Sequence, residues 1–153
     1  MKVFRDSRWI LVALVLVCGF GLQGARAADS TSLKTLTSEE LVRALQHPHA
    51  KPLLFHVGSH MLYLQAHIPG SEYLGAGSTE QGIQNLRRRV GGLPKSTAIV
   101  LYCGCCPWSH CPNVNPPYET LQQMGFTNVK VLYLANNFGA DWVDKGYPVA
   151  KGE

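Results

Sequence analysis

The chain has little charge imbalance, no internal repeat, no low-complexity tract and only one cluster of cysteines. Each absence removes a class of function. Fourteen Lys and Arg stand against ten Asp and Glu in 153 residues. Four of those bases (Lys2, Arg5, Arg8 and Arg26) and one acid (Asp6) fall in the first 27 positions, so the remainder holds 14 − 4 = 10 bases and 10 − 1 = 9 acids. That balance leaves no electrostatic footprint for nucleic acid. The single basic run, Arg87 to Arg89, lies in a helical pattern and reads as a solvated face. No apolar stretch reaches the roughly 18 residues of a membrane span: Trp9 to Leu22 is shorter and interrupted by glycines. The cysteines show neither the paired C-x-x-C spacing of zinc fingers nor a C-x-x-C-H haem attachment.

What is present begins with a leader. "MKVFRDSR" is basic, "WILVALVLVCGFGL" is apolar, and Ala25 and Ala27 are small residues at the positions a signal peptidase reads. Residues 1–27 are therefore expected to be a secretory signal peptide, an uncleaved anchor being the alternative, with Cys18 lost on cleavage and Ala28 as the new N-terminus. The expected location is periplasmic or secreted, where thiols meet oxidising surroundings. Residues 28–35 read as a polar leader. Residues 36–150 are long enough for one domain with its own core, expected to be monomeric and free of the membrane after cleavage.

Within that domain helices and strands alternate. "LTSEELVRALQHP" opens with a capping box, Thr37 with Glu40, flanked by Leu36 and Leu41 as a hydrophobic staple and stopped by Pro48. "PLLFHV" has strand length, and "STEQGIQNLRRRVGGLP" is a second helix ending at Gly91 and Gly92. "TAIVLY" is almost wholly apolar, as in a strand buried on both faces of a parallel sheet. A loop follows, then a helix starting at Asn115 and Pro116 and ending at Gly125, the strand "NVKVLYL", and a last helix "GADWVDKG" closed by Gly146 and Pro148. This order predicts an α/β fold with a central, mostly parallel sheet flanked by helices.

The loop is "YCGCCPWSHCPN", with Cys103, Cys105, Cys106 and Cys111 inside nine positions. Ligands of such folds sit beyond the carboxyl ends of strands, which is where Cys103 stands. A following helix would aim backbone N–H groups and partial positive charge at it, favouring the nucleophilic thiolate. Cys103 is the one cysteine fixed directly to the strand, and rigid placement suits a nucleophile; the alternative is an inert buried cysteine. The other thiols admit three readings. They could resolve an oxidised or sulfur-loaded Cys103, bind copper(I) or zinc together with His110, or staple the loop through a Cys106–Cys111 disulfide. Pro107, Pro112, Pro116 and Pro117 stiffen the loop. Trp108 either covers a pocket or packs the loop. His67 reads as a structural hydrogen-bonding histidine, His56 and His60 as surface histidines with a site role as the alternative, and Phe138 and Trp142 as core.

Four stretches together resemble the rhodanese domain, the sulfurtransferase module. They are "AHIPGS" (66–71), close to that family's "GHIPGA", "AIVLYC" (98–103), "LQQMGFTNVKVL" (121–132) and "ADWVDKGYPV" (140–149). The resemblance implies that Cys103 takes a sulfane sulfur as a persulfide and passes it to a thiol or other nucleophile, in a two-step covalent transfer. It also implies that the loop holds the substrate, through Gly104, Cys105, Cys106, Trp108 and His110, with backbone N–H groups cradling the anion. Cys106 and Cys111 remain candidates for resolution or a disulfide. No cofactor and no resident metal are called for, and the partner is a small sulfur-containing substrate or a protein thiol. The sequence also departs from the family. His110 is the one basic residue between Cys103 and Asn113, "HVG" (56–58) replaces a charged pair, and Ala135, Asn136 and Asn137 replace paired glycines. A dithiol-disulfide redox protein and a non-catalytic soft-metal or partner-binding module are the competing readings of the same loop.

Overall fold

The computed structural model describes residues 32–47 and 51–152. The expected signal peptide, the Ala28 terminus and the Pro48 stop lie outside them. Five strands, β1 (Thr35–Leu36), β2 (Leu53–His56), β3 (Glu72–Tyr73), β4 (Ile99–Tyr102) and β5 (Val129–Leu132), pair in the order β1-β5-β4-β2-β3, all parallel. The helices are α1 (Ser38–Gln46), α2 (His60–Gln65), α3 (Glu80–Val90) and α4 (Asn115–Gln123). "TAIVLY" is the middle strand and every residue of β4 is buried. Among the described residues no helix is long and apolar enough to cross a membrane.

Side chains alternate along a strand, and β4 feeds two cores. Ile99, Leu101 and Cys103 join Phe55, Leu86, Val90, Tyr118 and Leu121 on the face covered by α3 and α4. Val100 and Tyr102 join Leu36, Leu41, Leu54, Phe138 and Trp142 on the face covered by α1. The direction of the Cys103 side chain therefore follows from strand register.

The capping box of α1 forms as expected: Glu40 N–H donates to Thr37 Oγ1 at 3.2 Å, and Thr37 N–H to Glu40 Oε2 at 2.8 Å. Leu36 and Leu41 are both buried in the same cluster. Thr79 caps α3, Pro116 sits in the first turn of α4, and Gly125 follows α4 in the left-handed region at φ 85°. Arg87 and Arg88 are exposed as a solvated face, whereas Arg89 pairs with Glu72 at 2.6 Å. Phe138 and Trp142 are core residues.

The structure departs from the expectation in four places. Thr35, expected in the polar leader, and Leu36 pair with Val131 and Leu132 as an edge strand. Helix α2 and strand β3 flank the "AHIPGS" turn; α2 has six residues and β3 two, too short for a periodic signal. The expected last helix is a single five-residue π-helical turn, Gly139–Val143, because Asp141 is engaged by the Asn136 and Asn137 N–H groups at 2.6 and 3.2 Å and the chain turns back within one coil. His56 is not on the surface: it is 2% exposed, enclosed by Tyr63, Tyr73 and Tyr102 with ring centroids 5.4, 5.9 and 5.0 Å away.

The "AHIPGS" turn is anchored by that same wall of rings. Tyr102 Oη accepts from Ile68 N–H at 3.1 Å and lies 2.7 Å from Ser71 Oγ. His67 stacks on Tyr63 at 3.9 Å, with Nδ1 2.8 Å from the Tyr63 carbonyl, and its backbone bridges to Ala150. It is the structural histidine expected, and the bridge ties the end of the domain to the turn.

Candidate active site

Cys103 is the first residue beyond β4 and is 2% exposed. Two glycines create its setting. A Cβ on Gly58 would lie 2.8 Å from Cys103 Sγ and 3.0 Å from His56 Cε1. Only a residue without a side chain lets the segment leaving β2 pass beside the sulfur. Gly104 adopts φ 76°, and a Cβ there would come within 2.5 Å of Phe138 Cβ, while Phe138 N–H donates to the Gly104 carbonyl at 3.0 Å. The loop therefore leaves β4 through a left-handed turn clamped to the following segment.

The thiols converge. Cys103 Sγ donates to Cys105 Sγ at 3.0 Å, Cys105 Sγ lies 3.3 Å from Cys106 Sγ, and the sulfurs of Cys103, Cys105 and Cys111 are all within 4.8 Å of one another. All four stand as free thiols. Asn113 closes the cluster. It is 7% exposed, with Nδ2 3.5 Å from Cys103 Sγ and 3.6 Å from Cys105 Sγ, and Oδ1 accepting from Ser78 N–H at 3.1 Å. Sequence reasoning passed over this residue. Its signal, an Asn wedged between Pro112 and a helix, becomes legible only once the Ser78 backbone is known to face it.

Charge distributes unevenly over the cluster. Cys111 is held below the ordinary thiol range, at about 6, first by a hydrogen bond from the Cys103 thiol and then, against burial, by the Asn113 N–H and the other two thiols. The Cys103 thiol is pushed up, first by that bond to Cys111 and then by burial and Cys105. These directions favour the thiolate form at Cys111 and the protonated form at Cys103. Pro116 and Pro117 carry no N–H, so the first turn of α4 offers fewer donors than an ordinary helix start.

Cys103 and Cys105 border a cavity of about 310 Å³ whose walls also include His56, Leu62, Phe138 and Val143. Gly104 also lines it; Cys106, Trp108 and His110 do not. Trp108 packs the loop, its ring 5.1 Å from Tyr133 and its backbone N–H donating to the Ala135 carbonyl at 3.2 Å. His110 is exposed and turned to Ser109 Oγ at 2.8 Å, and His60 is exposed and stacked on Tyr73 at 4.6 Å. His56 is the buried imidazole of the cavity wall, neutral because burial lowers its pKa from 6.5 to about 4, with Nδ1 accepting from Gly58 N–H at 3.3 Å.

A parallel α/β sheet that presents a cysteine from its central strand to a cavity at the carboxyl edge defines the class: a thiol-bearing α/β domain. The model of the Rhodanese-like domain matches residues 37–134, and the chain belongs to that family. Solved structures with the same fold include the BH2092 protein of Bacillus halodurans (TM-score 0.59, 19% identity, covering 77% of each chain). The rhodanese-like domain of the Alr3790 protein of Anabaena sp. gives 0.54 at 21% identity, over 78% of this chain and 80% of that one. A Rhodopseudomonas palustris protein of unknown function, RPA3614, named as a possible tyrosine phosphatase, gives 0.55 at 18% identity, over 77% and 85%. No curated protein matches the chain.

Proposed function

We propose that the protein is a sulfurtransferase in which Cys103 carries sulfane sulfur as a persulfide. The observation that carries this reading is the placement of Cys103 Sγ at the end of the central strand, against the cavity and 3.0 Å from a second thiol. In the first step Cys103 attacks the outer sulfur of a donor persulfide, its proton passing to the Cys111 thiolate. The donor S–S bond breaks, a new S–S bond forms at Cys103, and the donor leaves as a thiolate. In the second step an acceptor thiolate attacks the outer sulfur and releases Cys103 as a thiolate.

The cavity walls argue for the class of donor. Among the described residues lining it there is no Lys or Arg, and His56 is neutral. An anion such as thiosulfate, or the phosphate of a phosphatase substrate, would enter without a cationic partner, at a desolvation cost. A persulfide or thiol on an uncharged carrier meets no such cost. The test is intact-mass analysis of the reduced protein after exposure to a persulfide donor and, separately, to thiosulfate. A gain of one sulfur from the persulfide, mapped to Cys103 and lost on adding an acceptor thiol, is the expected result. Sulfur gained equally by Cys103→Ser would overturn the assignment.

A further inference from the structure

We infer that Cys103, Cys105 and Cys111 form a three-thiolate site for a soft monovalent cation, copper(I). The three Sγ atoms already lie within 4.8 Å of one another. With metal–sulfur bonds of about 2.3 Å, a planar three-sulfur array holds its sulfurs roughly 4 Å apart. Cys103 and Cys105, now 3.0 Å apart, need to part by about 1 Å. Side-chain rotation of Cys105, half-buried on the loop, supplies that movement.

The composition of the group selects the metal. Every donor is sulfur, which favours a soft ion over magnesium, calcium or manganese. Cys106 touches Cys105 at 3.3 Å yet falls outside the mutually close trio, and the His110 ring is held by Ser109. The set therefore stops at three, short of the four ligands a structural zinc site takes. Asn113 supplies what ligand sets of this kind need behind them: its Oδ1 is fixed by Ser78 N–H, so Nδ2 is aimed at the sulfurs of Cys103 and Cys105. The cavity bordered by Cys103 and Cys105 is the way in. Each thiol gives up its proton as the ion binds, and the copper arrives and stays as copper(I), so no electron moves.

The test is titration of the reduced full chain with copper(I) alone, under argon, in competition with bicinchoninate. One copper per chain, a near-ultraviolet thiolate-to-metal charge-transfer band and a three-sulfur shell by X-ray absorption are expected. Cys105→Ser and Cys111→Ser, both on the half-buried loop, should lower affinity more than the about 10–100-fold expected for Asn113→Ala. Cys106→Ser should leave it unchanged, with circular dichroism confirming that each variant folds. Failure to hold copper against the chelator, a two- or four-sulfur shell, equal weakening by Cys106→Ser, or displacement of the copper by equimolar zinc would each overturn the site. Because no sulfur donor is present, this outcome is separate from the sulfurtransferase reading: a chain that holds copper but gains no sulfur refutes only the latter, and the reverse result refutes only the site.

Discussion

Cys103 and Cys111 divide between them two properties that a nucleophilic cysteine usually combines. Cys103 has the fixed position, while the thiolate form is favoured at Cys111, because a thiolate there is stabilised by the proton on Cys103. This makes a paired prediction. Limiting iodoacetamide on the reduced protein should label Cys111 first, with an inflection near pH 6. In Cys103→Ala the thiol donor is removed, and the inflection should move toward the ordinary thiol range. Cys111→Ser should keep the first half-reaction, the gain of sulfur on Cys103, and slow it near neutral pH, since the group that receives the Cys103 proton is gone. An unchanged rate of sulfur loading would count against proton transfer to Cys111. Little of this was open to sequence reading. The spacing of the four cysteines announced a cluster, but the shift at each sulfur depends on burial, on the other thiols and on Asn113, which only the folded chain places around them.

The loop as a unit depends on Gly104 more than on its prolines. At φ 76° an alanine would be strained by its conformation, and its Cβ would meet Phe138. Gly104→Ala should destabilise the protein by roughly 1–3 kcal/mol in urea unfolding and separate the sulfurs enough to lower sulfur loading. Thr37→Ala, two strands along the same sheet edge and outside the cavity lining, should cost about 1 kcal/mol through the lost α1 cap and leave loading untouched. Comparing the two separates loss of stability from loss of site geometry. The long periodic elements, α1, α3, α4 and the apolar strands β2, β4 and β5, were legible from their patterning and caps. Elements held by tertiary contacts were not. Helix α2 stands on Tyr63 and His67 packing, β3 on pairing with β2, and the Gly139–Val143 turn on Asp141 and the Asn136 and Asn137 amides.

His56 makes the stability of the entire domain depend on pH. Its folded pKa is about 4 against an unfolded 6.5, so between those values the unfolded chain binds a proton that the folded chain refuses. The His56 contribution is full above pH 6.5 and falls as pH drops through this window, by roughly 3 kcal/mol in all. Urea midpoints measured from pH 7 to pH 4 should show that decline, and His56→Gln should flatten it even though it lowers stability at neutral pH. A decline of equal size in the variant would assign the acid sensitivity to other groups. The residue type was visible in "PLLFHV", but its burial was not, since it is the ring wall from α2, β3 and β4 that encloses it.

The two margins of the sheet, β1 and β3, are two residues long each. An exposed sheet margin is ordinarily the template on which another chain aligns its backbone and begins to aggregate. Here an incoming strand would find two rungs to climb at either side, too few to hold register. The reactive surface of the protein is chemical, not conformational: crowding under oxidising conditions should yield covalent oligomers that a reductant dissolves, well before it yields amyloid.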